Sequence, residues 1–316
     1  MSRLTILLAL LLSSWAVQAQ FPVKPVRIVV PFPGGSATDT IARLLAGPVS
    51  QALGQPVLVE NKAGADGAIA AAEVAKSAPD GYTLLLATNS PMSAVPAMKK
   101  APPYDPVADF TPITDVGRYT FFIVVHPAVP ARNLRELIDY ARLNPGKLNY
   151  ATGNTSGIVS TASFASLAHI QLVHVPYKGE PQALTDLVTG RVQLMVVSSG
   201  TALPHIRDGR LRALVTTLRE RSPLLPAVPT IAEAGMPQFS LTSWAGLFGP
   251  ARVPPEIVGR LNREFVAALK RPEISEALVK QGFAPNPSSP AALGELVKEQ
   301  IESYRRVLRA AGVEPE

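Results

Sequence analysis

The sequence predicts an α/β fold with largely parallel sheets, and three observations carry that expectation. Short apolar runs alternate along the chain with segments of helical periodicity. The helical segments open on capping pairs at i and i+3, Ser36 with Asp39, Asn133 with Glu136 and Thr230 with Glu233. Glycines stand where helices should stop, at Gly54 and Gly190.

Taken in order, the strands expected are Val26–Pro31, Val57–Glu60, Tyr82–Ala87, Phe121–His126, Leu148–Ala151, Leu172–Pro176, Val192–Val197 and Leu211–Thr216. Helices fill the intervals. Pro48 lies inside the first of them, where its missing N–H should kink or divide the helix. Beyond residue 230 the pattern is mainly helical. Glu256 to Lys270 sets Leu261, Phe265 and Leu269 on one face, and a long stretch runs from Pro290 to Ala311.

Two proline-rich stretches read as joints, Pro102-Pro103 through Pro112 and Ser222 through Pro229. The segment between them carries its own set of strand–helix units. The expected organisation is therefore a second domain, 123–225, inserted into a first domain made of 20–122 and 226–316. No internal repeat is evident.

The N-terminus sets the compartment. Met1-Ser2-Arg3 is a short basic start, Leu4 to Leu12 is mostly leucine, and Val17-Gln18-Ala19 has the small-residue spacing of a cleavage site. The apolar stretch is too short to cross a hydrocarbon core of ~30 Å. It is read as a signal peptide, residues 1–19, cleaved after about Ala19 and delivering the chain to the periplasm. The remaining length is ample for a buried core in two domains.

The chain of 316 residues has no cysteine, which excludes disulfides, thiol catalysis and thiolate metal sites. Its formal charge is +6. The densest cationic clusters, Arg207-Arg210-Arg212 and Arg219-Arg221, have no interleaved aromatics and read as solvated faces. No nucleic-acid partner is expected, although a mildly basic balance attracts anions at a distance.

The chemistry-bearing residues gather in turns. Val26 to Val30, then Pro31-Phe32-Pro33-Gly34-Gly35-Ser36, then a helix make a strand–glycine–helix succession. Free amides at a helix N-terminus, with the helix dipole behind them, favour a carboxylate or phosphate. The alternative is a plain connection in which the glycines relieve backbone strain. Asp39 at the third helical position is first a cap and second a ligand contact. A near copy of this turn, Gly153-Asn154-Thr155-Ser156-Gly157, follows the Leu148–Ala151 strand. Two such turns facing each other would hold both ends of a small diacid. Thr88-Asn89-Ser90, Tyr177-Lys178-Gly179 and Ser198-Ser199-Gly200 lie at strand C-termini, where open α/β sheets gather ligands.

Catalytic signals are few. His126, His169, His174 and His205 have no metal-ligand spacing, and no nucleophile elbow is present. No metal, cofactor or catalytic residue is expected. Glu60-Asn61 with Gly64-Ala65-Asp66-Gly67 reads as a turn between strand and helix.

Several motifs in fixed order carry a family likeness. They are Lys24-Pro25-Val26-Arg27-Ile28-Val29-Val30-Pro31-Phe32, Gly34-Gly35 with Asp39, Val59-Glu60-Asn61 with Gly64-Ala65, and Pro79-Asp80-Gly81-Tyr82-Thr83-Leu84. Val175-Pro176-Tyr177-Lys178-Gly179, Pro229-Thr230-Ile231-Ala232-Glu233-Ala234-Gly235, and Trp244 with Gly246-Leu247 follow. The chain resembles the Bug-type receptors, periplasmic solute-binding proteins of tripartite tricarboxylate transporters. The resemblance implies a two-domain Venus-flytrap fold that closes on a small carboxylate held by amides and hydroxyls. Carried over by position, Phe32, Gly34, Gly35, Ser36, Asp39, Thr88 and Asn89 would form one wall. Gly153, Asn154, Thr155, Ser156, Gly157 and Thr161 would form the other, with Tyr177 and Ser198 beside it. The implied partners are the membrane components of the transporter, with a monomeric receptor. A ligand-presenting sensor or an exported enzyme acting on a carboxylated substrate are the competing readings.

Two departures from the family pattern stand out. After Val192–Val196 the family commonly carries an aspartate, where this chain has Val197-Ser198-Ser199. The lost carboxylate weakens the expectation of an amino-acid ligand. Pro33 also stands where small residues are usual, and it removes an amide donor from the turn.

Overall fold

The computed structural model describes residues 21–218, 220–239 and 243–310. The export segment expected at 1–19 lies outside them. Eleven strands form two sheets among the described residues. The first holds β1 (Val26–Val30), β2 (Val57–Asn61), β3 (Thr83–Thr88) and β4 (Phe110–Tyr119), with two late strands, β10 (Trp244–Pro250) and β11 (Phe283–Pro285). Its order is β11-β4-β10-β3-β1-β2. The second holds β5 (Phe121–Val125), β6 (Asn149–Thr152), β7 (Val173–Pro176), β8 (Leu194–Ser198) and β9 (Arg212–Thr216), in the order β7-β6-β8-β5-β9.

All eight strands read from the sequence are present, within a residue or two at each end. β1 pairs in parallel with β2 and β3, and β6 with β7 and β8. The antiparallel pairs are β5 with β8 and β9, β10 with β3 and β4, and β11 with β4. β4, β10 and β11 escape a reading by pattern. β4 contains Pro112 and Gly117, β10 contains Gly246, Gly249 and Pro250, and β11 has three residues.

The helices follow from the caps. In α1 (Ala37–Leu53), Ile41, Leu45, Val49 and Leu53 repeat every four residues and are buried in the core. Of the two outcomes expected for Pro48, division of the helix does not occur. Burial of Leu45 and Val49 on either side offsets the lost hydrogen bond. Gly54 closes α1 in the left-handed conformation, φ 69°. The Asn133–Glu136 pair opens a helix at Leu134–Leu143, as read. The Thr230–Glu233 pair also forms, Glu233 N donating to Thr230 Oγ1 (3.1 Å) and Thr230 N to Glu233 Oε2 (2.8 Å). No helix follows it, because Gly235 adopts φ 96° and Pro237 stands two residues on. A buried face on Pro255–Lys270 carries Leu261, Phe265 and Leu269 as expected.

The second sheet extends further along the chain than the joint at 225 suggested. Thr216 N donates to Pro229 O (2.9 Å) and Ile231 N to Thr216 O (2.9 Å), so residues 229–231 align beside β9. Residues 233–236 then share a groove with residues 133–142. The proline-rich run is thus tied to the second sheet, and the passage back to the first comes after it.

The forward passage is a single residue. β4 ends at Tyr119 and β5 begins at Phe121. Thr120 N donates to Gly282 O (2.7 Å), and Thr120 O accepts from Ser199 N (2.8 Å). Gly282 has φ 70°, and a Cβ there would lie 1.4 Å from Ser199 Oγ. Gly282→Ala is therefore expected to lower stability by about 2–4 kcal/mol, from left-handed strain and overpacking together. Urea denaturation monitored by circular dichroism measures it, and a loss below about 0.5 kcal/mol contradicts this packing.

Candidate functional site

A cleft runs between the two sheets beside this passage. It is a small cavity of about 30 Å³. Phe32, Ser36, Ala37 and Thr38 from the β1–α1 turn line it, with Thr88, Asn89 and Ser90 after β3. Gly153, Asn154 and Ser156 face them after β6, with Glu180 and Ser198. Tyr119 and Phe121 form the end at the passage.

The first wall is built by the cap of α1. Ser36 Oγ accepts from Asp39 N (3.3 Å). The Ala37 and Thr38 amides stand in the first turn, where no intrahelical carbonyl can reach them. They sit on the cleft wall with the positive end of the helix dipole behind them. Asp39 is turned to a different task. Its carboxylate accepts from Gly35 N (3.0 Å), Arg43 Nε (3.0 Å) and Asn61 Nδ2 (2.9 Å). Burial pushes the Asp39 carboxyl up, but Arg43 and the Gly35 and Asn61 amides outweigh it and hold it below its ordinary value. Asn61 Nδ2 also donates to Phe32 O (3.0 Å), tying β2 to the turn. Gly34, Gly35 and Asp39 thus build the cradle without lining it, and Gly35 is needed for its φ of 79°.

The second wall begins α5 (Thr155–Ala168), whose cap is Asn154, with Oδ1 accepting from Gly157 N (2.8 Å). Ser156 meets the first wall directly. Its amide donates to Ser90 Oγ (3.0 Å), its hydroxyl lies 2.8 Å from Ser90 Oγ, and Asn89 Nδ2 donates to Ser156 Oγ (2.9 Å). Asn89 Nδ2 also bonds Tyr304 of α10 (Pro290–Ala310). The Thr155 and Thr161 hydroxyls are buried without partners and lie off the cleft.

Tyr177 turns away. Its hydroxyl donates to Asp186 (2.7 Å), and burial with that hydrogen bond pushes it up to about 12. The expected ligand contact gives way to a brace within the second lobe. Lys178 is exposed and does not line the cleft.

Of the residues read from sequence, the cleft brings together Phe32, Ser36, Thr88, Asn89, Gly153, Asn154, Ser156 and Ser198. It adds Ala37, Thr38, Ser90, Tyr119, Phe121 and Glu180. Ala37, Thr38 and Ser90 were within reach of the motifs already singled out. Glu180 directly follows Tyr177-Lys178-Gly179. Tyr119 carried no signal, because β4 did not read as a strand, and Phe121 read only as the start of the next strand. Glu180 is held by the end of β8: Ser198 Oγ donates to Glu180 Oε2 (2.5 Å).

Comparisons with known proteins agree on one family. The model of the tripartite tricarboxylate transporter family receptor matches residues 41–313. Protein BugT of Bordetella pertussis is 33% identical over 320 residues, covering 99% of this chain and 98% of BugT. Among solved structures, R. palustris Rpa4515 with adipate is 34% identical with a TM-score of 0.90, covering 94% of this chain and 100% of that one. MatC from Rhodopseudomonas palustris with bound malate is 35% identical with a TM-score of 0.87, covering 91% and 100%.

The Asp39 network predicts a stability effect with a defined pH dependence. Asp39→Ala should cost about 2 kcal/mol at neutral pH, through lost charge-assisted bonds. Because the folded-state value is depressed, the stabilisation is complete above the ordinary carboxylate value of about 4 and disappears as pH falls through the lower folded one. Urea midpoints of both proteins across this range check it: they should converge toward acid.

Proposed function

The chain belongs to the tripartite tricarboxylate transporter receptor family, and from that premise we propose a periplasmic receptor that captures a small organic carboxylate by closing two lobes. Delivery goes to the membrane components of a tripartite tricarboxylate-type transporter. The observation that carries the reading is that the cap and first turn of α1, Ser36, Ala37 and Thr38, line a cleft between two sheets, where a helix N-terminus favours an anion. Solved relatives whose structures carry adipate and malate support the carboxylate class.

The mechanism needs no covalent step. A carboxylate enters the open cleft and takes the α1 amides together with the Ser36 and Thr88 hydroxyls. The second wall then swings in about Thr120 and the later passage. Hydrogen bonds to a charged group contribute about 1.5–3 kcal/mol each. Micromolar affinity corresponds to about 8 kcal/mol. Four or five such bonds suffice once closure and ligand ordering are subtracted. The cavity in this form is small, so a ligand enters through an opened cleft and the lobes then close on it. The closed state is what a membrane partner reads.

The division into lobes at 20–122 with 226–316, and 123–225, is kept as the working organisation, with its second boundary moved past 231 to respect the bonds to β9. Export with cleavage after about Ala19 and a monomeric state belong to the same proposal.

Two experiments test it. Calorimetry and thermal shift of the mature protein with mono-, di- and tricarboxylates should find one binder at 1:1 stoichiometry, recovered unchanged; conversion of the bound acid to product refutes the receptor reading. The second test exploits a contact between lobes. Gly179 has φ −177°, which any residue adopts, but a Cβ there would lie 2.8 Å from Pro33 Cγ. Gly179→Val should fold normally and fail to close. Small-angle scattering with saturating ligand should show contraction in the wild type and none in the variant.

A further inference from the structure

A carboxylate is buried on the wall that faces the α1 N-terminus. Glu180 is 7% exposed and lines the cleft. It is the first residue of α6 (Glu180–Val188), where a glutamate ordinarily serves the helix dipole from the surface. The other first-turn glutamates, Glu136, Glu256 and Glu273, do so and are exposed. Glu180 does not share their solvation.

Its surroundings are built to receive it. Gly153 would place a Cβ 2.2 Å from Glu180 N, so only glycine lets the α6 start approach the β6 turn this closely. Ser198 Oγ (2.5 Å) and Thr201 Oγ1 (3.2 Å) both donate to Oε2. No lysine, arginine or histidine pairs with it among the described residues. Burial raises the Glu180 carboxyl above its ordinary value, and the hydroxyl and amide bonds only partly offset this. A buried carboxylate without a cation is costly, and a ligand that brings one removes the cost.

The two walls thus have opposite polarity. One presents helix N–H groups and a positive dipole end; the other presents an anionic acceptor. We propose that Glu180 sets ligand choice, and that this receptor takes a carboxylate whose far end is a positively charged ammonium, in preference to one ending in a second carboxylate. This rests on the receptor reading and narrows it. The carboxylate of the ligand lies on α1, the ammonium donates to Glu180, and a diacid of equal length would set two carboxylates against each other.

The test is calorimetry on the mature protein with pairs of equal chain length: β-alanine against succinate, γ-aminobutyrate against glutarate, and δ-aminovalerate against adipate. In the pair that fits, the amino acid should bind at least tenfold more tightly. Glu180→Gln should abolish this preference by weakening the amino acid tenfold or more and sparing the diacid. The proposal is overturned if the diacid binds more tightly in the wild type, if Glu180→Gln leaves the ratio unchanged, or if the only binder carries no ammonium. The wild-type comparison decides between these outcomes even where the variant does not fold. Absence of binding to every carboxylate would instead refute the receptor reading itself.

Discussion

One residue, Thr120, separates the last residue of β4 from the first of β5, and both of its backbone polar groups are committed. Its amide goes to Gly282 on the first lobe and its carbonyl takes the Ser199 amide on the second. A linker this short cannot slide or stretch. It leaves rotation as the permitted relative motion of the sheets. The same constraint puts Tyr119 and Phe121 at the end of the cleft, where Tyr119 OH meets Thr38 Oγ1 at 2.8 Å. The floor of the site is therefore also its pivot.

Across the cleft the lobes also share a set of polar contacts, Ser90 and Asn89 with Ser156, and Asn89 with Tyr304. Neutral hydrogen bonds of this kind contribute about 1 kcal/mol each against water. A few of them make a closed state that competes with an open one without overwhelming it. Ligand then has only to supply the difference, which is the condition for a responsive clamp. The Ser156 amide illustrates the economy of the arrangement. Sequence marks it as a ligand donor, and in the closed form it bonds the opposite lobe.

Much of the fold was legible because hydrophobic periodicity and caps are local. The parallel strands, α1 and the Asn133 helix follow from residues adjacent in sequence. β4, β10 and β11 were not legible, because their glycines and prolines suit a strand only once neighbours from distant parts of the chain are in place. The site divides the same way. The turn at Gly34-Gly35-Ser36 announces itself, but whether an amide faces the cleft or a carboxylate within the turn is a matter of geometry, and Asp39 takes Gly35. Glu180 shows the limit most clearly. A glutamate after Tyr177-Lys178-Gly179 looks like any helix-opening glutamate, and only the approach of β6 and β8 reveals that it is buried.

The place of β10 between β3 and β4 has a consequence for the order in which this chain can fold. β3 ends at Thr88 and β4 starts at Phe110, yet they are joined only through residues 244–250. The first sheet stays split until three quarters of the polypeptide has been synthesised, whereas the strands of the second lie within one continuous stretch. Such long-range closure is slow, because the entropy of bringing distant segments together precedes the reward of pairing them. The first lobe therefore has no centre strand until the last quarter of the chain is made, while the second can complete its sheet earlier.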